Sequence, residues 1–204
     1  MISYHKKWGD MEIIKPGYTR VSEILSQWDR FSGIDRDVLE NKKRIGTNVH
    51  EAIDLYNACL PYSLEEDERG YFESYIEWRK LTQFEILASE TRLYDDRLMI
   101  TGAFDLLVKF PQEEEGSVCD LKCSYSEDPI NWPMQGCFYR YLLTVNGGQD
   151  ISQRVNFIKL DKRGYSPDVY EYDVTNMMRV CESAVITYNH QKPWLIKRKQ
   201  GERE

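Results

Sequence analysis

Two apolar runs of this sequence each carry charged residues. Residues 100–110, ITGAFDLLVKF, have the composition of a buried strand, with Asp105 in the middle. Residues 118–123, VCDLKC, form a second short apolar run that holds Asp120 and Lys122. An unpaired charge near a core is costly, so such charges are usually paired or bind a metal ion. The three charges therefore form either one site or separate pairs.

Strand periodicity decides which of these charges can meet. Side chains alternate between the two faces of a strand, so Asp105 shares a face with Thr101, Ala103 and Leu107. Asp120 and Lys122 are two residues apart and share a face. If the two strands are neighbours, the three charges can converge. The opposite face of the first strand is predicted to be core and carries Ile100, Gly102, Phe104, Leu106, Val108 and Phe110.

The order of predicted elements is helices, three strands, a helix, two strands and a helix. This order predicts an α/β or α+β fold with a central mixed sheet flanked by helices and an N-terminal helical region. One domain is expected over residues 1–204. Within it, residues 1–83 are mainly helical, residues 84–190 form the sheet and its helices, and residues 191–204 form a basic tail. Ser63 is the predicted N-cap of the helix before the strands, with Glu66 completing a capping box.

Composition limits the function classes. A hydrophobic fraction of 41% and a charged fraction of 30% suit a soluble globular protein. The net charge of −7 argues against a non-specific nucleic-acid coat protein, but it is compatible with an enzyme that has a local basic groove. The five cysteines form no CxxC pair, and no signal peptide is visible. Together these features predict a cytoplasmic, reducing location, and no apolar run is long enough to predict a membrane span.

The residue types suggest metal chemistry. Two carboxylates can hold a hard divalent cation through oxygen, and Mg²⁺ typically takes one or two such ligands. A lysine beside them can orient a water molecule or stabilise charge on a phosphate. A purely structural explanation is that Lys122 simply pairs with Asp120, but this leaves Asp105 unexplained.

Four motifs of the chain together resemble one enzyme family. Asp105 ends GAFD, and DLK contains Asp120 and Lys122. Upstream, GTNVHEAIDLY places His50 on a predicted helix, and downstream QGCFY places Gln135 and Tyr139 four residues apart on one helix face. In this order they resemble the RecB-like exonuclease branch of the PD-(D/E)xK nuclease superfamily. The resemblance covers residues 46–139, nearly half of the chain.

The resemblance implies a restriction-endonuclease-like core, with the catalytic sheet and helices in residues 84–190. It also implies a metal-dependent DNA exonuclease activity. Asp105 and Asp120 would be metal ligands, and Lys122 would serve the attacking water. His50 would be a further ligand or would steady the site, and Glu90 would add a carboxylate. The cofactor would be Mg²⁺ or Mn²⁺, as one or two ions. The partners would be DNA, bound at its ends, and a recombination or single-strand-binding protein.

The roles of the last motif are left open by the resemblance. Gln135 and Tyr139 would contact DNA or brace the catalytic strand, although aromatic residues at helical spacing are more often core. Iron–sulfur members of the branch carry a tight downstream cysteine cluster. Here Cys123, Cys137 and Cys181 are widely spaced, so no iron–sulfur cluster is expected. Two alternatives are a catalytically inactive nucleic-acid-binding or assembly module and a restriction-like endonuclease.

Overall fold

The computed structural model describes residues 14–28 and 35–201, with side chains up to residue 192. The N-terminal segment from which the absence of a signal peptide was predicted lies outside these residues. In the predicted basic tail, the backbone continues the last helix to Gly201. Its basic side chains Lys197, Arg198 and Lys199 lie outside the described side chains.

The described residues form helices on both sides of one six-stranded mixed sheet. The strands are β1 (Thr19–Arg20), β2 (Glu85–Asp95), β3 (Ile100–Lys109), β4 (Gly116–Lys122), β5 (Ile151–Lys159) and β6 (Asp168–Asp173). The helices are α1 (Val21–Leu25), α2 (Arg36–Asn57), α3 (Glu66–Thr82), α4 (Asn131–Val145) and α5 (Met178–Gly201), with a 3₁₀ turn at Ser26–Trp28. This arrangement confirms the predicted fold class. None of the described helices combines the length and apolar character needed to cross a bilayer.

Strand β3 is the centre of the sheet. On one edge it pairs antiparallel with β2 from Ile100 to Lys109. On its other edge it pairs with β1 at Ile100 and Thr101, and with β4 from Leu106 to Val108. Residues 102–105 therefore lie between two pairing partners on that edge. Strand β4 continues past this point in parallel pairing with β5, which pairs antiparallel with β6.

The sheet is covered on both faces. One apolar cluster packs α1, α4 and α5 against the sheet and includes Phe104 and Phe138. The other packs α2 and α3 against the opposite face and includes Val49 and Tyr75. Because both faces are buried, β3 has apolar residues on both sides.

One prediction about β3 is wrong. Phe104 belongs to the cluster with α4, whereas Leu106 and Val108 belong to the cluster with α2 and α3. The expected single apolar face from Ile100 to Phe110 therefore does not exist, because the strand changes faces at Asp105. Opposite this point, Glu90 of β2 has a positive φ of 41°. Such backbone irregularities increase the local twist and redirect side chains.

The start of α3 also differs from the prediction. Its N-cap is Glu65, not Ser63, and the capping box pairs Glu65 with Glu68. Glu68 is buried because it also accepts hydrogen bonds from Arg44 at 2.6 Å and Asn48 at 2.7 Å, both on α2. This contact between the two helices determines where α3 begins.

Two helical glycines provide a stability test. A Cβ at Gly70 would lie 1.9 Å from the carbonyl oxygen of Lys162, whereas a Cβ at Gly46 would meet nothing within 4 Å. We expect Gly70→Ala to lower the free energy of unfolding by about 1–3 kcal/mol, because backbone atoms must shift. Gly46→Ala should raise it by up to about 1 kcal/mol through helix propensity. Urea unfolding measures both, and changes of the same sign would contradict the described contact between α3 and the β5–β6 loop.

Candidate active site

The candidate active site lies where β3 and β4 diverge. Asp105 is the last β3 residue before its pairing with β4 begins. Its Oδ2 accepts a hydrogen bond from the backbone N–H of Leu121 at 2.7 Å. The carboxylate thus takes the place of a strand–strand hydrogen bond. This bond holds Asp105 between the two strands and beside Asp120 and Lys122, the neighbours of Leu121.

Helix α2 closes one side of this gap. The apolar stripe Ile45, Val49 and Ile53 packs on the sheet, which directs the adjacent His50 toward Asp105. His50 Nδ1 lies 3.4 Å from Asp105 Oδ1 and 4.0 Å from Glu90 Oε1. The three side chains each offer a ligand atom, and these atoms all lie within 4.8 Å of one another.

Helix α4 closes the other side. Lys122 Nζ donates to Gln135 Oε1 at 2.9 Å, and Gln135 Nε2 donates to Asp120 Oδ1 at 3.1 Å. Lys122 Nζ also lies 2.5 Å from Asp120 Oδ2. Asp120 Oδ2 is buried and forms an ion pair with this ammonium.

Tyr139 lies behind Gln135. Gln135 Nε2 donates to the Tyr139 hydroxyl at 2.9 Å, and the Tyr139 side chain belongs to the buried cluster under α4. Its ring occupies the space above Gly102, where a Cβ would lie 2.8 Å from Tyr139 Cε1. The glycine of GAFD is therefore required for Tyr139 to reach Gln135.

The site is electrostatically strained. Burial tends to lower the pKa of His50, but the carboxylates of Asp105, Glu90 and Asp120 together raise it to about 9. Burial also opposes ionisation of Asp105, but His50 outweighs it and holds that pKa below its usual range. Burial, followed by the charge of Asp105, raises the pKa of Asp120 to about 6. Without a metal ion, a proton on His50 therefore balances part of the negative charge at neutral pH.

These side chains fit a hard divalent cation. Carboxylate oxygens are typical donors for Mg²⁺ and Mn²⁺, and an imidazole nitrogen also suits Mn²⁺. The ligand atoms of His50, Glu90 and Asp105 lie within 4.8 Å of one another. Asp120 lies outside this set, with its Oδ2 2.5 Å from the Lys122 ammonium. Binding would displace the His50 proton, because a metal ligand must be deprotonated.

Sequence reasoning missed two contributors. The Leu121 N–H leaves no trace in the side-chain pattern, because it is a backbone group. The second is Asp54, which is buried on α2 and accepts a hydrogen bond from Ser89 Oγ at 2.6 Å. Ser89 precedes Glu90, so this bond joins α2 to β2 beside the site. Its signal was a carboxylate one helical turn after His50, within an apolar stripe.

Comparisons with known proteins give only distant likenesses. No protein-family model and no curated protein matches the sequence. The structure is similar to an alkaline exonuclease, LHK-Exo from Laribacter hongkongensis, at 8% identity and a TM-score of 0.47, covering 92% of this chain and 95% of that one. The protein SSO0001 is similar at 10% identity and a TM-score of 0.46, covering 88% and 78%. At these scores the likeness carries no conclusion about this chain.

The charge on Asp120 should reduce stability. We expect Asp120→Asn, measured in EDTA at pH 7.5, to raise the free energy of unfolding by up to about 2 kcal/mol. The gain should disappear as pH falls from about 6 toward the unfolded-state value of about 4, because Asp120 is then protonated in the native protein too. Asp105→Asn is the matched control and should be destabilising, because it loses the pair with His50. A loss of stability in Asp120→Asn would contradict this account.

Proposed function

We propose that the protein is a metal-dependent DNA exonuclease of the RecB-like branch of the PD-(D/E)xK superfamily. One observation carries the proposal: the residues of all four motifs lie around the gap between β3 and β4. His50 and Asp105 face each other across 3.4 Å, and Gln135 joins Asp120 to Lys122. Separate structural pairs would not bring together residues from a helix, two strands and a second helix.

The metal ligands would be Asp105 and Asp120, with His50 and Glu90 completing the set. A bound Mg²⁺ or Mn²⁺ would lower the pKa of a coordinated water and stabilise charge on the scissile phosphate. The Leu121 N–H would keep Asp105 oriented by holding its second oxygen. Calorimetric titration with Mn²⁺ would measure whether one or two ions bind.

Lys122 would orient the attacking water or help to deprotonate it. Its ammonium is held between Asp120 and Gln135, so its position does not depend on the substrate. Gln135 would hold the Asp120 carboxylate and the Lys122 ammonium in fixed positions relative to each other. Tyr139 would brace Gln135 rather than contact DNA, because its side chain is buried.

The recessed position of the site favours an end-dependent enzyme. The side chains of His50, on α2, and Asp105, on β3, are 25% and 14% exposed. A strand end or a flexible single strand reaches such a site more easily than a continuous duplex. The same residues would also serve a restriction-like endonuclease. An inactive module is less consistent with the sequence, because it would have no need to keep Asp105, Asp120 and Lys122 together.

Digestion of labelled DNA tests the proposal. End-labelled single-stranded and double-stranded linear DNA and closed circular DNA would each be incubated with Mg²⁺, Mn²⁺ or EDTA. We expect metal-dependent loss of linear DNA with circles spared, and the labelled products give the direction of digestion. Cleavage of circles would identify an endonuclease, and no cleavage with either metal would reject the nuclease proposal.

Substitutions then test individual roles. Asp105→Asn and Lys122→Ala should each lower kcat by about a hundredfold or more, because each removes a group that stabilises the transition state. Glu115→Gln and Lys109→Ala are matched controls outside the site and should retain activity. Saturating Mn²⁺ should raise the melting temperature of the parent and of Lys122→Ala, but much less that of Asp105→Asn. An active, folded Asp105→Asn protein would rule out the assigned role.

A further inference from the structure

A cleft of about 450 Å³ opens beside the candidate active site. It is formed by α2, α3, the loop after β4 and the loop between β5 and β6. The site residues themselves do not line it. The residues that matter for its chemistry are Lys42, Ser124, Tyr125, Lys159, Lys162 and Arg163.

The cleft is basic in an acidic protein. Four of its lining residues are basic and two are acidic, whereas the whole chain has a net charge of −7. Both acids form ion pairs, Asp168 with Lys159 and Asp161 with Arg163. Lys42 and Lys162 have no ion-pair partner among the residues that the structure describes. Lys42 Nζ donates a hydrogen bond to the Tyr71 hydroxyl at 3.3 Å. This partner is neutral, so the positive charges of both lysines remain available to an anionic ligand.

Two walls of the cleft belong to elements that also carry residues of the catalytic gap. Ser124 is the second residue after Lys122, and the backbone N–H of Leu160, which also lines the cleft, donates to the Lys122 carbonyl at 2.8 Å. On the other wall, Lys42 precedes His50 by eight residues on α2, which is about 12 Å along the helix axis. A polyanion bound at Asp105 and Asp120 through a metal ion could therefore extend into the cleft.

One exposed aromatic ring lines the cleft, and a second lies beside one of its basic residues. The Tyr125 side chain lines it and is 98% exposed, so its ring makes almost no contact with the protein. Tyr165 is 63% exposed, and the Arg163 guanidinium lies 4.9 Å from its ring centroid. Exposed aromatics beside basic side chains form the usual platform for unpaired bases, because any base can stack on them.

We propose that this cleft binds a single-stranded segment of DNA, with Lys42 and Lys162 contacting phosphates and Tyr125 stacking on a base. The inference rests on the proposed function, because it gives the strand a path to the catalytic gap. A single strand fits better than a duplex, because stacking on Tyr125 requires a base with an open face. A duplex offers such a face only at its end.

Binding without cleavage tests the phosphate contacts. Fluorescence anisotropy would measure affinity for a labelled twelve-nucleotide oligothymidylate, in EDTA and over a range of salt concentrations. Lys42→Ala/Lys162→Ala should bind about tenfold or more weakly at low salt. The slope of log affinity against log salt should fall by about 1.4, because two single-strand phosphate contacts are lost. Lys80→Ala/Lys109→Ala removes the same charge outside the cleft and should change neither quantity appreciably.

A second pair of variants tests stacking. Tyr125→Ala should weaken binding by about fivefold or more without changing the salt slope, and Tyr125→Phe should bind like the parent. Because this side chain is almost fully exposed, neither change should affect folding. Equal affinities of Tyr125→Ala and Tyr125→Phe for the oligothymidylate would rule out base stacking on Tyr125.

Several results would overturn the proposal that the cleft binds single-stranded DNA. These are no binding of the oligothymidylate by the parent, unchanged affinity and slope in the lysine double variant, or equally tight binding of a blunt hairpin duplex through the same lysines. The outcome is separable from the nuclease proposal. If the protein cleaves DNA but its binding does not depend on the cleft residues, only the cleft proposal is rejected. If binding depends on the cleft residues but no cleavage occurs, only the nuclease proposal is rejected.

Discussion

The hydrogen bond from the Leu121 N–H to the Asp105 carboxylate connects the fold to the site. It lies between the β3 residues that pair with β1 and the β3 residues that pair with β4. An open strand edge inside a sheet would leave backbone groups unsatisfied, and such groups are costly when buried. A carboxylate satisfies the Leu121 donor while keeping its other oxygen directed at His50. The interruption of the sheet and the placement of the acid are thus one structural feature.

The remaining charges are held from the two helical layers. From the α2 side, His50 faces Asp105, and Asp54 fixes the helix to β2 through Ser89. From the α4 side, Gln135 holds Asp120 and Lys122. The second Asp120 oxygen is buried against the Lys122 ammonium at 2.5 Å.

The sequence was most informative where structure is local. Helices and strands followed from apolar periodicity, and the shared face of Asp120 and Lys122 followed from their spacing. The single apolar face of β3 failed because alternation assumes regular backbone, and the strand changes faces at Asp105. The Ser63 cap failed because Glu68 is fixed by Arg44 from another helix. The gap itself depends on which strands pair, and no pattern within β3 or β4 specifies that.

The net charge of the chain is a poor guide to what its surface attracts. At physiological salt the screening length is about 8 Å, so an anionic strand responds mainly to the groups along its own path. Along the proposed path, the acids near His50 would be neutralised by divalent metal. In the cleft that follows, Lys42 and Lys162 have no ion-pair partner within the described part of the chain. Most of the acidic excess lies elsewhere, as in the ion-paired cluster around Arg44. Under the proposed function, a protein of charge −7 would therefore attract DNA through one local group of basic side chains.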